Sequence, residues 1–233
     1  MAWRVSLISL AVVACSAGGP GNSSAPGTTK RFAARDFTSV ALDGPDEVEV
    51  HTGSDFAVEA QGAPATLDRL EVRRAGETLR IARKPHQGWW PSTETAVVRV
   101  RMPAIHAAAA AGSGAVMLDR AEEFEGTASG SGDLTAGMLE GRRATLTNTG
   151  SGTIAAAGTV GMLVASTSGS GDIAAAELHA DRASVVLAGS GEIAAHVAGA
   201  ASVALHGAGT VDLGPMARCT AVRRSTGTLR CGD

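Results

Sequence analysis

Few side chains in this chain have types and positions that could do chemistry. They are Cys219 and Cys231, Asp172 and Glu192, the adjacent indoles of Trp89 and Trp90, and six histidines. Paired carboxylates could hold Ca²⁺ or serve as acid and base on a polysaccharide. Neighbouring thiols bridge in an oxidising compartment, and adjacent aromatic rings stack on sugars or dip into an interface. Nucleophilic serine chemistry is not indicated, because the serines stand in a tight Gly-Ser-Gly and not in Gly-x-Ser-x-Gly. Gly207-Ala208-Gly209-Thr210-Val211-Asp212-Leu213-Gly214 has a dinucleotide flavour but lacks the spacing and the following helix. His51, His86, His106, His179, His196 and His206 show no pairing at metal-ligand spacing and read as solvated or structural. No cofactor and no metal are expected.

The elements that must position these groups follow from composition and period. The chain has 233 residues, 44% hydrophobic but 3% aromatic, so its core is filled by small aliphatic side chains. A net charge of −3 with 18% charged residues excludes a basic nucleic-acid surface and also the composition of a disordered chain. The 30 glycines are periodic. From residue 111 a phrase of the form Ser-Gly-Ser-Gly-Asp-Leu recurs, with first glycines at 112, 130, 150, 169, 189 and 207, at intervals of 18 to 20. A fixed interval of this size means a solenoid.

Laying the repeats over one another gives columns of stacked side chains. After the glycine pair run Val116, Leu134, Ile154, Ile173, Ile193, Val211 and Leu229, and two residues on run Leu118, Ala136, Ala156, Ala175, Ala195, Leu213 and Cys231. Before the glycines come Phe124, Ala144, Leu163, Ala183, Ala201 and Cys219, then the series from Gly126 to Ala221, then the series from Ala128 to Arg223. Two-residue spacing is the strand period, so these columns point inward. Leu139, Val160, Leu178, Val197 and Met216 are expected to fill the third side, and Gly-Ser-Gly to supply a φ > 0 corner. The fold expected is all-β, a parallel β-helix of about 18–20 residues per rung over 106–233. Residues 31–105 alternate less regularly and read as an N-terminal β region or cap, with a brief helical turn at 66–70.

Residues 1–14 carry one positive charge, Arg4, and then an apolar run that stops at Cys15; they read as a signal peptide. Val12-Val13-Ala14-Cys15 resembles a bacterial lipobox, which implies lipidation of Cys15 and anchoring in an envelope membrane. An ordinary signal peptide cut beside a cysteine is the other reading. Residues 15–30 are uncharged nearly throughout and read as a flexible tether.

Arg35-Asp36-Phe37-Thr38-Ser39-Val40, Asp43-Gly44-Pro45-Asp46-Glu47-Val48-Glu49-Val50, Leu67-Asp68-Arg69-Leu70-Glu71-Val72 and Gly76-Glu77-Thr78-Leu79-Arg80-Ile81, followed by the Gly-Ser-Gly phrases, resemble a bacterial family. It is labelled a putative autotransporter adhesin, head GIN domain. The resemblance covers roughly 35–231 and implies a right-handed parallel β-helix in secreted or envelope-anchored proteins. It brings no catalytic residues.

In this frame Cys219 and Cys231 lie on two inward columns of the last rungs, where a disulfide would lock that end; two buried free thiols are the alternative. Asp172 and Glu192 fall on neighbouring rungs among Ala, Ser and Thr, without converging basic residues, so water-exposed turn residues explain them better than a site. Trp89 and Trp90 lie in a proline-bounded loop between strands, either as a ligand contact or as a plug for the coil. The expected function is a non-enzymatic, lipid-anchored structural or adhesive rod at the outer membrane or periplasmic face. Its partners are the membrane, and a glycan or another envelope protein; nucleic acid is not among them. A carbohydrate-binding or carbohydrate-cleaving β-helix and an end-to-end scaffold are the competing readings.

Overall fold

The computed structural model describes residues 28–85, 94–224 and 226–232. Cys15, Trp89 and Trp90 lie outside the described residues. The chain is 70% strand and 3% helix and forms a parallel β-solenoid of about six turns.

The repeats build the coil as their columns require. β8 (Ala107–Gly112) leads into four long bent strands, β9 (Ala115–Gly130), β10 (Asp133–Asn148), β11 (Thr153–Gly169) and β12 (Asp172–Gly189). Shorter segments follow: β13 (Glu192–Val197), β14 (Ala200–Leu205), β15 (Thr210–Asp212), β16 (Arg218–Arg223) and β17 (Thr228–Arg230). Leu134 stacks on Val116 and under Ile154, then Ile173, Ile193, Val211 and Leu229 continue the column in register. All of these but Leu229 are buried, as are Leu118, Ala136, Ala156, Ala175, Ala195 and Leu213.

The corners differ from expectation in their cause. Gly112, Gly130, Gly169 and Gly189 have positive φ, but Gly150 and every second glycine of the pair do not. What the pair needs is room. A Cβ on Gly150 would stand 2.0 Å from the Gly130 carbonyl oxygen, and one on Gly152 2.0 Å from that of Gly132. Stacked corners approach so closely that only hydrogen fits between them.

One corner also holds a buried amide. Asn148 Nδ2 donates to the Gly152 and Asp172 carbonyls at 2.6 and 3.1 Å, and its Oδ1 accepts the Gly150 N–H at 3.1 Å. Thr167, one rung on in the same column, is fully buried with no partner for its hydroxyl.

The third side corrects the single column expected there. Leu139 lies against Ala121 and Gly158, Gly158 against Leu178, while Val160 stacks on Ala180 and Ala180 on Val197. Bulges between Ala136 and Leu139 and between Ala175 and His179 shift the count from turn to turn, so two columns alternate. Met216 is 64% exposed, and Ala217 is buried in its place.

The N-terminal part belongs to the same coil, wound in a different order. β1 (Thr28–Phe32) already contains residues 28–30, which composition assigned to the tether. β2 (Ser39–Gly44) and β3 (Glu47–Thr52) make one rung around the Gly44-Pro45-Asp46 corner. β4 (Ala57–Gly62), α1 (Pro64–Arg69) and β5 (Leu70–Ala75) fold over the end, and β6 (Thr78–Arg83) and β7 (Val97–Met102) make a second rung. β2 is sandwiched between β6 and β8, and β3 between β7 and β9, all parallel. The rung made first is thus held between two made later. Antiparallel β5, β4 and β1 pair outward from β6 and β7 and close that end. The helix begins at Pro64, two residues before the expected turn, because proline suits the first helical position.

Candidate functional site

The coil registers place the two stems that flank the tryptophan segment. Asp43 lies against Ala82 and Glu47 against Val97, so the described stems, 84–85 and 94–96, stand at the corner that Gly44-Pro45-Asp46 and Gly112-Ser113-Gly114 turn in the neighbouring rungs. An insertion at a corner leaves the ladder intact on both sides. Its described stems are held by one carboxylate. Asp46, whose side chain is fully buried, accepts from Arg83 Nε at 2.9 Å and Nη2 at 2.6 Å, and from the Ala96 N–H at 2.8 Å. Arg83 Nη2 also donates to the Glu94 carbonyl at 2.8 Å. The hydrogen bonds it donates to Asp46 hold the Arg83 guanidinium above its ordinary pKa range, against a smaller opposing effect of burial. Lys84 donates its N–H to the Arg69 carbonyl and its Nζ to the Asp68 carbonyl, tying the outgoing stem to the last turn of α1.

Asp46 stands where the Gly-Ser-Gly phrases carry their second glycine, as Gly44 pairs with Gly112 and Glu47 with Ala115. A charge at that position was the signal for this ion pair, and it is visible only once the register is known. Trp89 and Trp90 themselves lie outside the described residues, as does Cys15.

The other groups resolve as follows. Cys219 and Cys231 form a disulfide with Cα atoms 6.2 Å apart, joining β16 to the residue after β17 across the last rung. Asp133 and Asp172 each accept the backbone N–H of the next rung, from Thr153 at 2.8 Å and Glu192 at 2.7 Å. They bind corner to corner, and the shallow depression beside Asp172 is walled by Ala174, Ala176 and Ala194 with Glu177 and Glu192. Among the described residues no three His, Cys, Asp or Glu side chains gather closely enough to hold a metal ion.

Two placements were not read from the sequence. His179 and His196 stack on neighbouring rungs, ring centroids 5.3 Å apart, and His196 Nδ1 bonds the Ala176 carbonyl. Their separation close to one period was the available signal. Asp119 accepts the Thr52 hydroxyl at 2.8 Å and the Thr52 and Arg120 amides, with His51 Nδ1 at 3.8 Å. Burial alone would raise the Asp119 pKa, but these hydrogen bonds, aided by His51, outweigh it and hold the carboxyl below the usual range.

Solved structures share this architecture. A "putative adhesin" from Bacteroides fragilis NCTC 9343 is similar with a TM-score of 0.79 at 15% identity, over 88% of this chain and 96% of that one. A "Putative lipid binding protein" from Parabacteroides distasonis ATCC 8503 is similar with a TM-score of 0.70 at 17% identity, over 90% and 98%. A "putative adhesin" from Parabacteroides merdae ATCC 43184 has a TM-score of 0.68 at 15% identity, over 90% and 98%. At such identities the likeness is one of fold. No curated protein matches the chain. The sequence from 36 to 214, spanning both the interleaved rungs and the glycine-cornered coil, matches the family described as "Putative auto-transporter adhesin, head GIN domain", and the chain belongs to it.

Proposed function

We propose that this protein is a non-enzymatic adhesive or structural element of a bacterial envelope, held to a membrane through a lipidated Cys15 and presenting the loop 84–96, with Trp89 and Trp90, as its contact for a glycan or another envelope protein. The observation that carries this reading is the Asp46–Arg83 pair. A fully buried carboxylate and a largely buried guanidinium are costly in a coil otherwise filled by Ala, Val, Leu and Ile, and their hydrogen bonds reach both stems of one loop. Rigid stems reduce the ordering cost when the loop meets a ligand. The family description and the neighbours named adhesins support a surface role.

The carbohydrate-cleaving alternative has less support, since Asp172 and Glu192 are engaged in, or lie beside, inter-rung turn bonds with alanines around them. Glycan arrays and envelope pull-downs with the anchored protein, and with W89A/W90A, test the reading. Loss of capture by the double variant is the expected result. Tryptophan emission that is blue-shifted and indifferent to both glycans and quencher would show the indoles plugged inward and sink it. Mass analysis of the mature N-terminus tests the anchor, with diacylglycerol on Cys15 expected and an unmodified cysteine excluding it.

A further inference from the structure

The two ends of the coil are finished differently. Beyond β6 and β7 the antiparallel strands and α1 close the core, burying Leu67 and Leu70. Beyond β16 and β17 no further strand pairs among the described residues, since β16 pairs with β14 and β17 with β15. Arg218 donates its N–H to the Gly199 carbonyl at 2.8 Å and Arg224 to that of Leu205 at 3.0 Å. The alternation of a parallel ladder then points the N–H and C=O of Cys219, Ala221 and Arg223 away from β14, onto a free edge. The inward columns surface there. Ala221 is exposed while Val203 beneath it is buried, and Cys219 and Leu229 are half-buried.

The rim of this edge is basic. Arg218, Arg223, Arg224 and Arg230 are exposed, and the stretch 216–232 contains no Asp or Glu. Among the described residues only Arg230 of the four has a carboxylate within reach, Asp212 at 3.6 Å.

A second copy fits poorly. Tail-to-tail pairing would press two arginine clusters together, and head-to-tail pairing would bring this rim to the outer strands of the other end, where Arg31 and Arg73 pair with Glu59 and Glu71 but Lys30 and Arg74 leave an excess of positive charge. Repulsion between like charges disfavours both. An anionic sugar or headgroup could meet the guanidinium groups but would leave the row of backbone groups unpaired. An extended peptide satisfies both at once.

We propose that the C-terminal edge of the coil captures an acidic extended segment of a partner protein by strand addition, its main chain pairing with Cys219, Ala221 and Arg223 and its carboxylates meeting Arg218, Arg223 and Arg224. The disulfide fixes the two strands of this rung to each other before the partner arrives, so less order is lost on binding. This site is separate from the tryptophan loop and stands or falls independently of it.

The probe is a labelled eight-residue peptide alternating Glu and Val, titrated by fluorescence anisotropy into the full-length protein in detergent, beside the same peptide with Lys in place of Glu. Binding of the Glu peptide about tenfold or more tighter than the Lys peptide, and weakening with salt, is expected. R218E/R223E/R224E should reverse that preference. A221P should abolish binding without lowering the melting temperature, because the Ala221 N–H bonds nothing in the coil and proline is tolerated on an edge. Slowed amide exchange at Cys219, Ala221 and Arg223 on adding peptide would locate the contact. Equal binding of both peptides overturns the proposal, as does full binding by A221P, which would mean charge attraction without strand addition. A dimer or filament in sedimentation that R218E/R223E/R224E alters would overturn it in favour of a second copy.

Discussion

The coil from β8 to β17 and the coil formed by β2, β3, β6 and β7 stack in one parallel ladder but are held together by different means. In the first, each rung is the sequence neighbour of the one beneath, the corners are glycine, and the core columns are Ala, Val, Ile and Leu. In the second, rungs interlock out of chain order, one corner glycine is replaced by Asp46, and at another corner the stems 84–85 and 94–96 are held through Arg83 and Asp46. Repetition stabilises through close approach and leaves little room for chemistry. Interlocking admits a buried charge and an insertion, and that is where contact residues can be hung. The difference teaches that in this coil the repeat serves uniform stability, while the irregular corner and the last rung are where other chemistry fits without breaking the ladder.

Four measurements break or sharpen that contrast. The largest effect is expected at the irregular corner, where Asp46→Ala strands Arg83 and the Ala96 N–H and should cost about 3–5 kcal/mol by urea unfolding. A loss under about 1 kcal/mol would mean that the pair does not hold the corner. Next comes the regular corner. Gly152→Ala forces a methyl into the Gly132 carbonyl and should cost about 3 kcal/mol, whereas Gly76→Ala, at φ +63 in a hairpin with nothing within 4 Å, should cost only about 1–2 kcal/mol. Similar losses at both sites would deny the repeat its steric explanation.

A smaller effect joins the two regions, since Asp119 at the bend of β9 receives Thr52 from the end of β3. Its folded pKa is depressed, so its stabilising contribution is present above the unfolded carboxyl pKa, near 3.9, and is lost as pH falls through the still lower folded value. Asp119→Asn should therefore cost about 1 kcal/mol at neutral pH, the gap to the parent closing below about pH 4. A pH-independent gap would assign the loss to packing. The smallest change expected is a gain. Thr167→Val removes a buried hydroxyl without a partner and should raise stability by up to about 1 kcal/mol in thermal melts. A loss would reveal a partner for that hydroxyl.

The contrast also decides what could be read from the sequence. The columns beginning at Val116, Leu118 and Phe124 were legible because the glycine interval equals one turn and the strand period fixes which residues face inward. The third side was not, since bulges there change the residue count per turn and the glycine interval records only the total, not where in the turn the residue was gained or lost. Met216 was misplaced for that reason. The alternation of β2, β3, β6 and β7 marked them as strands, but no local pattern tells that β2 lies between β6 and β8, because order along the coil is not order along the chain. The disulfide was legible since Cys219 and Cys231 end two known columns. The Asp46–Arg83 pair joins residues whose proximity exists only through the interleaving, and so stayed hidden.

The interleaved rung also has a history in time. β2 and β3 leave the ribosome, or the export channel, before either strand that will flank them has been made, and Ser39 waits for Thr78 on one side and Ala107 on the other. Such long-range closure is slow, whereas every later rung finds its template already laid within one period. Nucleation of this coil is therefore expected late, at the arrival of β8, with winding toward β17 following it, so that β16 and β17 are the last described strands to find their places.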